Sequence, residues 1–283
     1  MKFFRHGPSG AERPGVVDAS GVLRDLGGIF PDLAGEALDP ARLAAFRDRD
    51  LAGLPVVPAE ARIGACVGDV SNFVAVGLNY RDHARETGAA IPEEPILFNK
   101  APSCIVGPND DVRLPAGSET TDWEVELAIV IGRPAWRVPE ASALDHVAGL
   151  CVCHDVSERT YQNARGGQWM KGKGCPTFGP LGPWLVTPDE IGDLRDLDMW
   201  LDVNGVAMQR GTTAEMIFGV EFLVAYASQF MLLRPGDVIT TGTPPGVGLG
   251  RKPPVYLKVG DVVSLGIKGL GEQRQQIVAD IAG

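Results

Sequence analysis

The sequence predicts an α+β fold that is mostly β, because short apolar runs recur along the chain without a regular alternation of strands and helices. The 283 residues include 36 Gly and 22 Pro, which divide the chain into short segments. Many short strands separated by Gly and Pro turns are typical of a partly closed β sheet. The length is sufficient for one large domain with a smaller appendage.

The first 70 residues differ in sequence pattern from the rest of the chain. Gly and Pro interrupt short apolar runs such as Gly15–Val17, which predicts hairpins, and the Ala-rich stretch Pro40–Leu51 predicts one short helix. No candidate for a chemical role lies here. We therefore predict a small accessory domain over residues 1–70 and a main domain over residues 71–283.

The main domain contains the stronger secondary-structure signals. A Gly residue at position 88 is a typical helix stop, and Thr212 with Glu215 has the spacing of a capping box. Apolar runs of strand length lie before and between the helix stop at Gly88 and the capping box at Thr212, and they predict strands. The resulting prediction is strands over 73–77, 124–131 and 149–154, and helices over 80–87 and 212–230.

Charge and cysteine content limit the partners and the compartment. The formal net charge is −10, and the basic residues are scattered, so a nucleic acid is excluded as a partner. No apolar run reaches the length of a membrane span. The five cysteines are odd in number and predict a reduced, cytoplasmic protein. Cys151 and Cys153 alternate within an apolar run and are interpreted as core residues, with a metal or redox role as the alternative.

A pair of glutamates gives the sharpest chemical signal. In a strand, Glu124 and Glu126 point to the same face with their Cα atoms about 7 Å apart. A like-charged pair is costly unless water solvates it or a cation neutralises it. Asp155, directly after the next predicted strand, adds a third carboxylate. This oxygen-rich set suits Mg²⁺, with Mn²⁺ or Ca²⁺ as alternatives, although a solvated strand face explains the Glu spacing equally well.

Two further segments have the residue types of catalysis. On a helix, His83 and Glu86 are neighbours at i,i+3, so the carboxylate can orient the imidazole as a general base for water. The alternative is an ordinary surface pair. Lys171 and Lys173 lie in a Gly-rich loop, where either a flexible basic loop or a lysine that stabilises a developing negative charge fits the pattern.

These segments, taken in order, resemble the fumarylacetoacetate hydrolase family over about residues 70–275. The resemblance is carried by five segments of this chain. They are Gly-Leu-Asn-Tyr-Arg-Asp-His-Ala-Arg-Glu at 77–86, Asp-Trp-Glu-Val-Glu-Leu-Ala at 122–128, His-Asp-Val-Ser-Glu-Arg-Thr-Tyr-Gln at 154–162, Gly-Lys-Gly-Cys-Pro-Thr-Phe-Gly-Pro-Leu-Gly-Pro-Trp at 172–184, and Thr-Gly-Thr-Pro-Pro-Gly-Val-Gly at 241–248.

The resemblance implies roles for individual residues. It implies a mixed β-sandwich roll, a two-fold dimer or a dimer of dimers, and a lid formed by the segment around His83. It assigns Lys173, rather than Lys171, as the family lysine. The implied sets are the metal ligands Glu124, Glu126 and Asp155, the catalytic residues His83, Glu86 and Lys173, and the substrate-binding residues Arg159, Gln162, Thr243 and Tyr80.

The implied activity is hydrolysis of the C3–C4 bond of a 2,4-diketo acid, which releases pyruvate and a second carboxylic acid. Within the family the chain is most similar to hydrolases of 2,4-diketo-3-deoxy sugar acids such as 2,4-diketo-3-deoxy-L-rhamnonate. The alternatives are an acylpyruvate or fumarylpyruvate hydrolase, an oxaloacetate decarboxylase, a keto–enol isomerase, and a metal-binding protein without enzymatic activity. Leu78 replaces an Arg of many relatives, and Pro176 replaces an Asp.

Overall fold

Strands dominate the structure, a computed structural model that describes residues 1–88 and 90–280. The strands are β1 Lys2–His6, β2 Arg13–Val17, β3 Leu23–Asp25, β4 Phe73–Gly77, β5 Ile96–Lys100, β6 Ile105–Val106, β7 Val112–Leu114, β8 Thr121–Asp122, β9 Val125–Ile131, β10 Val147–His154, β11 Ser157–Glu158, β12 Gly179–Pro180, β13 Leu185–Val186, β14 Asp198–Val203, β15 Val206–Thr212, β16 Val238–Thr240, β17 Val262–Ile267 and β18 Gly271–Ala279. The α-helices are α1 Pro40–Ala44, α2 Arg81–Thr87, α3 Arg159–Ala164, α4 Met170–Lys173 and α5 Val220–Phe230.

The largest sheet has nine strands in the order β3-β2-β1-β13-β10-β9-β16-β4-β5. At its centre, β9 and β10 pair antiparallel and every residue of both strands is buried. Strands buried on both faces are apolar almost throughout, which explains why both were predictable as apolar runs. This central pair positions the carboxylates of the candidate site.

A second sheet packs against the centre of the first. Its five strands have the order β15-β14-β17-β18-β7, and β14 and β17 contact β9 while β17 and β18 contact β10. The two sheets bury their facing side chains against one another, as layered β folds do. The predicted α+β class, mostly strands in several sheets with few helices, is confirmed.

The helix predictions differ in their outcome. Helix α2 ends at Gly88, whose left-handed backbone (φ 67°) is the predicted helix stop. The prediction of one helix over 212–230 is wrong at its start. The Thr212 hydroxyl caps a short 3₁₀ turn instead, and the extended backbone at Met216 ends that turn before α5 begins at Val220.

The first 70 residues continue the large sheet. Strand β1 pairs with β13 and, on its other side, with β2, so the N-terminal strands form one edge of the nine-stranded sheet. No separate sheet therefore marks a boundary near residue 70 in the described chain. The division into two domains stays a prediction.

Cys151 and Cys153 lie fully buried in β10 as free thiols, as expected for core residues. None of the helices in the described ranges has the length and apolar character that crossing a bilayer requires. The cytoplasmic location stays a prediction.

Candidate functional site

Three carboxylates meet at the end of the central strand pair. The antiparallel register places Glu126 opposite Cys153, and the Asp155 amide donates a hydrogen bond of 2.9 Å to the Glu124 carbonyl. Glu124, Glu126 and Asp155 are all buried, and one carboxylate oxygen from each lies within 4.8 Å of the others. The structure thus brings together the three residues that the sequence singled out as metal ligands.

The electrostatics of this cluster fit a divalent cation. Burial raises the pKa of Glu126 well above its usual range, and the charges of Asp155 and Glu124 raise it further. Burial acts in the same direction on Glu124, but Lys173 and Arg159 outweigh it and lower the pKa of Glu124 to about 2. Clustered carboxylate oxygens are the hard donors that Mg²⁺, Mn²⁺ and Ca²⁺ prefer.

Lys173 points its ammonium group into the cluster. From helix α4 its Nζ lies 2.6 Å from Glu124 Oε2 and 2.7 Å from Asp155 Oδ2. The side chain is nearly inaccessible to water, so these charge-assisted contacts hold it in one place. Lys171, by contrast, is exposed and donates to the Arg165 carbonyl.

The predicted substrate residues of helix α3 lie beside the carboxylates. The Arg159 guanidinium contacts Asp122 at 2.8 Å and Glu124 at 2.7 Å, and it donates to Gln162 Oε1 at 3.0 Å. Both Arg159 and Gln162 also line the pocket described below. Paired on both sides, Arg159 has a fixed orientation at the pocket wall.

Two buried residues of the site were missed from the sequence. Lys100, at the end of β5, has a fully buried ammonium group 2.6 Å from Asp155 Oδ1 and 2.5 Å from the Lys173 carbonyl oxygen. Asp122 accepts hydrogen bonds from the amides of Gly248 (2.7 Å) and Leu249 (3.0 Å) as well as from Arg159. Residue spacing in the sequence could not predict the contacts of Lys100 or Asp122, since they join residues far apart in the chain.

His83 and Glu86 form the predicted pair on helix α2. His83 Nδ1 lies 3.1 Å from Glu86 Oε2, and the imidazole is largely buried. Glu86 also accepts a hydrogen bond of 3.0 Å from the Gly246 amide, which ties helix α2 to the Gly-rich loop after β16. A carboxylate held in this way can fix the orientation of the imidazole.

Thr243 lies on the pocket wall, whereas Tyr80 lies in the core. Thr243 lines the pocket, donates to the Val125 carbonyl at 3.0 Å and accepts from Gln209 Nε2 at 2.8 Å. Tyr80 does not reach the pocket wall in the described structure: its side chain is fully buried and its hydroxyl donates to Met199 Sδ at 3.1 Å. Residue 80 directly precedes helix α2 and its ring packs into the core, so the structure does not place Tyr80 on the pocket wall and its substrate contact stays a prediction.

One pocket of about 480 Å³ opens above the carboxylates. Its size lies in the usual range for small-molecule sites. Its wall carries apolar side chains together with the polar residues named above. The wall residues are Val76, Gly77, Leu78, His83, Glu86, Phe98, Glu124, Glu126, Arg159, Gln162, Asn163, Trp169, Lys173, Gly242, Thr243, Val247, Leu249, Gly250 and Lys252.

The chain matches a family model over most of its length. The model, described as fumarylacetoacetate (FAA) hydrolase C-terminal, covers residues 72–278. The chain belongs to the fumarylacetoacetate hydrolase family. Solved matches include proteins named as hydrolases and others named as isomerases, so the family places this chain among enzymes of these two kinds.

Three members of the fumarylacetoacetate hydrolase family illustrate the similarity. A Burkholderia multivorans protein provisionally named a hydrolase is 59% identical to this chain. The match covers 97% of this chain and 98% of the Burkholderia protein. The fumarylacetoacetate hydrolase of Exiguobacterium antarcticum is 38% identical, with a TM-score of 0.86 over 99% of this chain and 100% of its own. The maleylpyruvate hydrolase of Sphingobium sp. SYK-6, solved with a manganese(II) ion and pyruvate, is 29% identical, with a TM-score of 0.82 over 99% of this chain and 100% of its own.

Proposed function

We propose that this protein is a divalent-metal-dependent hydrolase that cleaves the C3–C4 bond of a 2,4-dioxo acid. The observation that carries the proposal is the presence of two sets of groups at one pocket. The first is the buried carboxylate cluster with Lys173, and the second is the His83–Glu86 pair. The first set suits a chelating acid, and the second suits activation of water.

Glu124, Glu126 and Asp155 would hold the cation. When bound there, Mg²⁺ would supply Lewis-acid polarisation of the 2-keto oxygen, and Mn²⁺ or Ca²⁺ are the alternatives. The manganese ion of the maleylpyruvate hydrolase from Sphingobium supports a divalent cation by analogy. The raised pKa of Glu126 supports it from this chain, since crowded carboxylates favour a neutralising charge.

The residues of the pocket would perform the proton transfers. His83, oriented by Glu86, takes a proton from water as the oxygen attacks C4. The C3–C4 bond then breaks, and its electron pair passes into pyruvate enolate. Lys173 stabilises that negative charge and provides the proton that C3 gains. The proton held by His83 returns to Lys173 through solvent, so the net addition is a hydroxyl to C4 and a proton to C3, which leaves pyruvate and a second carboxylic acid.

The substituent on C4 distinguishes the candidate substrates. The sequence resemblance supports a 2,4-diketo-3-deoxy sugar acid such as 2,4-diketo-3-deoxy-L-rhamnonate, and the maleylpyruvate hydrolase among the solved relatives supports an acylpyruvate. An oxaloacetate decarboxylase or a keto–enol isomerase would use the same cation and Lys173 without an attacking water. The His83–Glu86 pair favours the hydrolase over both.

Pyruvate release tests the proposal. The purified protein is assayed with 2,4-diketo-3-deoxy sugar acids, acylpyruvates and oxaloacetate, with Mg²⁺ or Mn²⁺ and after exhaustive chelation. We expect release from a 2,4-dioxo acid that chelation abolishes and added Mg²⁺ or Mn²⁺ restores. Undiminished release after chelation contradicts the metal role, and release from oxaloacetate alone supports the decarboxylase.

We also propose that the enzyme assembles as a homodimer or a dimer of dimers, as the sequence resemblance implies. Light scattering coupled to size-exclusion chromatography measures the mass directly. A single species at the mass of one chain contradicts the proposal.

A further inference from the structure

The pocket wall beyond the carboxylates is predominantly apolar. Its apolar side chains come from four separate segments: Val76 in β4 with Leu78 just after it, Phe98 from β5, Trp169 before α4, and Val247 with Leu249 from the Gly-rich loop. Because the segments converge from different parts of the chain, the apolar character belongs to the pocket as a whole. A bound substrate would meet hydrocarbon on several sides.

Two of these side chains are held in place by their surroundings. The Trp169 ring packs so closely on Gly77 that a side chain at residue 77 would collide with it. The same ring meets Phe98 edge-on, with ring centres 5.2 Å apart. Such packing leaves the indole little freedom to turn aside for a polar group.

Leu78 has an unusual backbone conformation at the pocket wall. Its φ of 53° lies in the left-handed region, which costs a leucine conformational energy and which Asn tolerates better. Residues held in such conformations cluster at functional sites. Leu78 therefore presents an apolar side chain at a backbone position that would accommodate Asn with less strain.

Three of the polar side chains on the wall have partners within the protein. Thr243 is hydrogen-bonded to Val125 and Gln209, Arg159 to Asp122 and Glu124, and Gln162 Oε1 accepts from Arg159. Asn163 and Lys252 are exposed residues of the wall. A hydroxyl placed against the apolar side chains of the wall would thus lose water without a hydrogen bond to replace it.

We propose that the pocket selects a 2,4-dioxo acid whose C4 substituent is an extended hydrocarbon chain rather than a hydroxylated one, with Leu78 and Trp169 as specificity-determining residues. This inference rests on the proposed function. The volume of about 480 Å³ supports an extended chain, since cavities of this size hold ligands much larger than pyruvate. The apolar wall supports a chain without hydroxyl groups.

A set of three substrates tests the inference in the unmodified enzyme. 2,4-Dioxohexanoate and 2,4-diketo-3-deoxy-L-rhamnonate have the same carbon chain and differ by the C5 hydroxyl, while 2,4-dioxononanoate extends the alkyl tail. We expect kcat/KM to rise in the order hydroxylated, short alkyl, long alkyl. The hydroxyl should lower kcat/KM by about 10- to 100-fold, the range that an apolar pocket achieves against an added hydroxyl.

The Leu78→Asn variant tests the residue assignment. Asn has nearly the size of Leu, suits the left-handed backbone and adds an amide to the wall. We expect the preference for 2,4-dioxohexanoate over its hydroxylated counterpart to fall by about 10-fold. Leu232→Asn is the matched control, since Leu232 is 47% exposed and lies outside the pocket wall, and its ratio should equal that of the unmodified enzyme.

The outcomes separate the two proposals. Equal or higher kcat/KM for the hydroxylated substrate overturns the inference and leaves the hydrolase proposal intact. An unchanged ratio in Leu78→Asn overturns the assignment of Leu78. Absence of pyruvate release from all three substrates with Mg²⁺ or Mn²⁺ contradicts the proposed function itself.

Discussion

Two groups of charged side chains in this molecule have the same excess of carboxylates over cationic groups but differ in burial. The candidate-site charge cluster consists of Asp122, Glu124, Glu126, Asp155, Lys100, Arg159 and Lys173. The N-terminal ion-pair network consists of Arg5, Glu12, Asp32, Arg62 and Asp110. Each has one more carboxylate than it has cations.

Burial determines what that excess carboxylate does. In the N-terminal ion-pair network the Arg62 side chain is 29% exposed, whereas the Lys100 side chain in the candidate-site charge cluster is 0% exposed. The pKa of Glu12 is lowered: burial would raise it, but Arg62 and Arg5 outweigh burial. The pKa of Glu126 is raised by burial and by its neighbours. The same residue types form a partly exposed ion-pair network in one place and, in the other, a buried cluster that we propose holds a cation.

The strongest test of this contrast removes carboxylates from each group. We expect the double change Glu124→Ala and Glu126→Ala to reduce pyruvate release to background and to abolish Mn²⁺ binding in isothermal titration calorimetry, because it deletes two of three oxygen donors. Glu12→Ala, the control from the N-terminal network, should retain turnover and Mn²⁺ affinity. Unchanged Mn²⁺ affinity in the double variant would contradict the assigned ligands.

A second test separates the base from the cation site. His83→Ala should lower kcat for hydrolysis of a 2,4-dioxo acid by about 10²- to 10⁴-fold, the usual contribution of a general base, while Mn²⁺ affinity stays unchanged. The matched control is His6→Ala, whose imidazole lies 3.2 Å from Asp25 outside the pocket. Full hydrolytic activity without His83 would show that water is activated by another group.

The third test concerns the buried ammonium behind Asp155. Lys100→Met keeps the length of the side chain but leaves the Asp155 carboxylate without its 2.6 Å partner. Breaking a buried pair costs about 3–5 kcal/mol of unfolding free energy. Loss of a partner that orients a metal ligand weakens metal affinity by about 10- to 100-fold. Urea denaturation and Mn²⁺ titration measure the two effects, and a folded variant with unaltered Mn²⁺ affinity would limit Lys100 to stability.

The smallest effect is expected in the N-terminal ion-pair network. Arg62→Met removes contacts of 2.9 Å to Glu12 and 2.5 Å to Asp110, yet partly exposed pairs contribute only about 0–1 kcal/mol. Urea denaturation should show a loss in that range, smaller at high salt because salt screens the pair. A loss as large as that of Lys100→Met would remove the contrast between the two groups.

Local patterns predicted those parts of the site that depend on one strand or one helix. Glu124 and Glu126 share a face because a strand alternates, and His83 and Glu86 meet because a helix repeats. The capping-box pattern at Thr212 predicted the start of a helix, but Thr212 caps a 3₁₀ turn and α5 begins only at Val220. Tyr80 illustrates the same limit, since its neighbours in the chain do not reveal which way its ring packs.

The sequence by itself determined the fold class and the central strands, because these follow from apolar periodicity within short segments, and it predicted Glu124, Glu126 and Asp155 as candidate cation ligands from their residue type. Only the tertiary structure decided that Lys100 lies behind Asp155 and that Asp122 holds both Arg159 and the Gly-rich loop. The tertiary structure alone also decided that Leu78 and Trp169 form part of one apolar pocket wall. The physical reason is that burial and ion pairing depend on contacts between distant segments, which spacing along the chain does not encode.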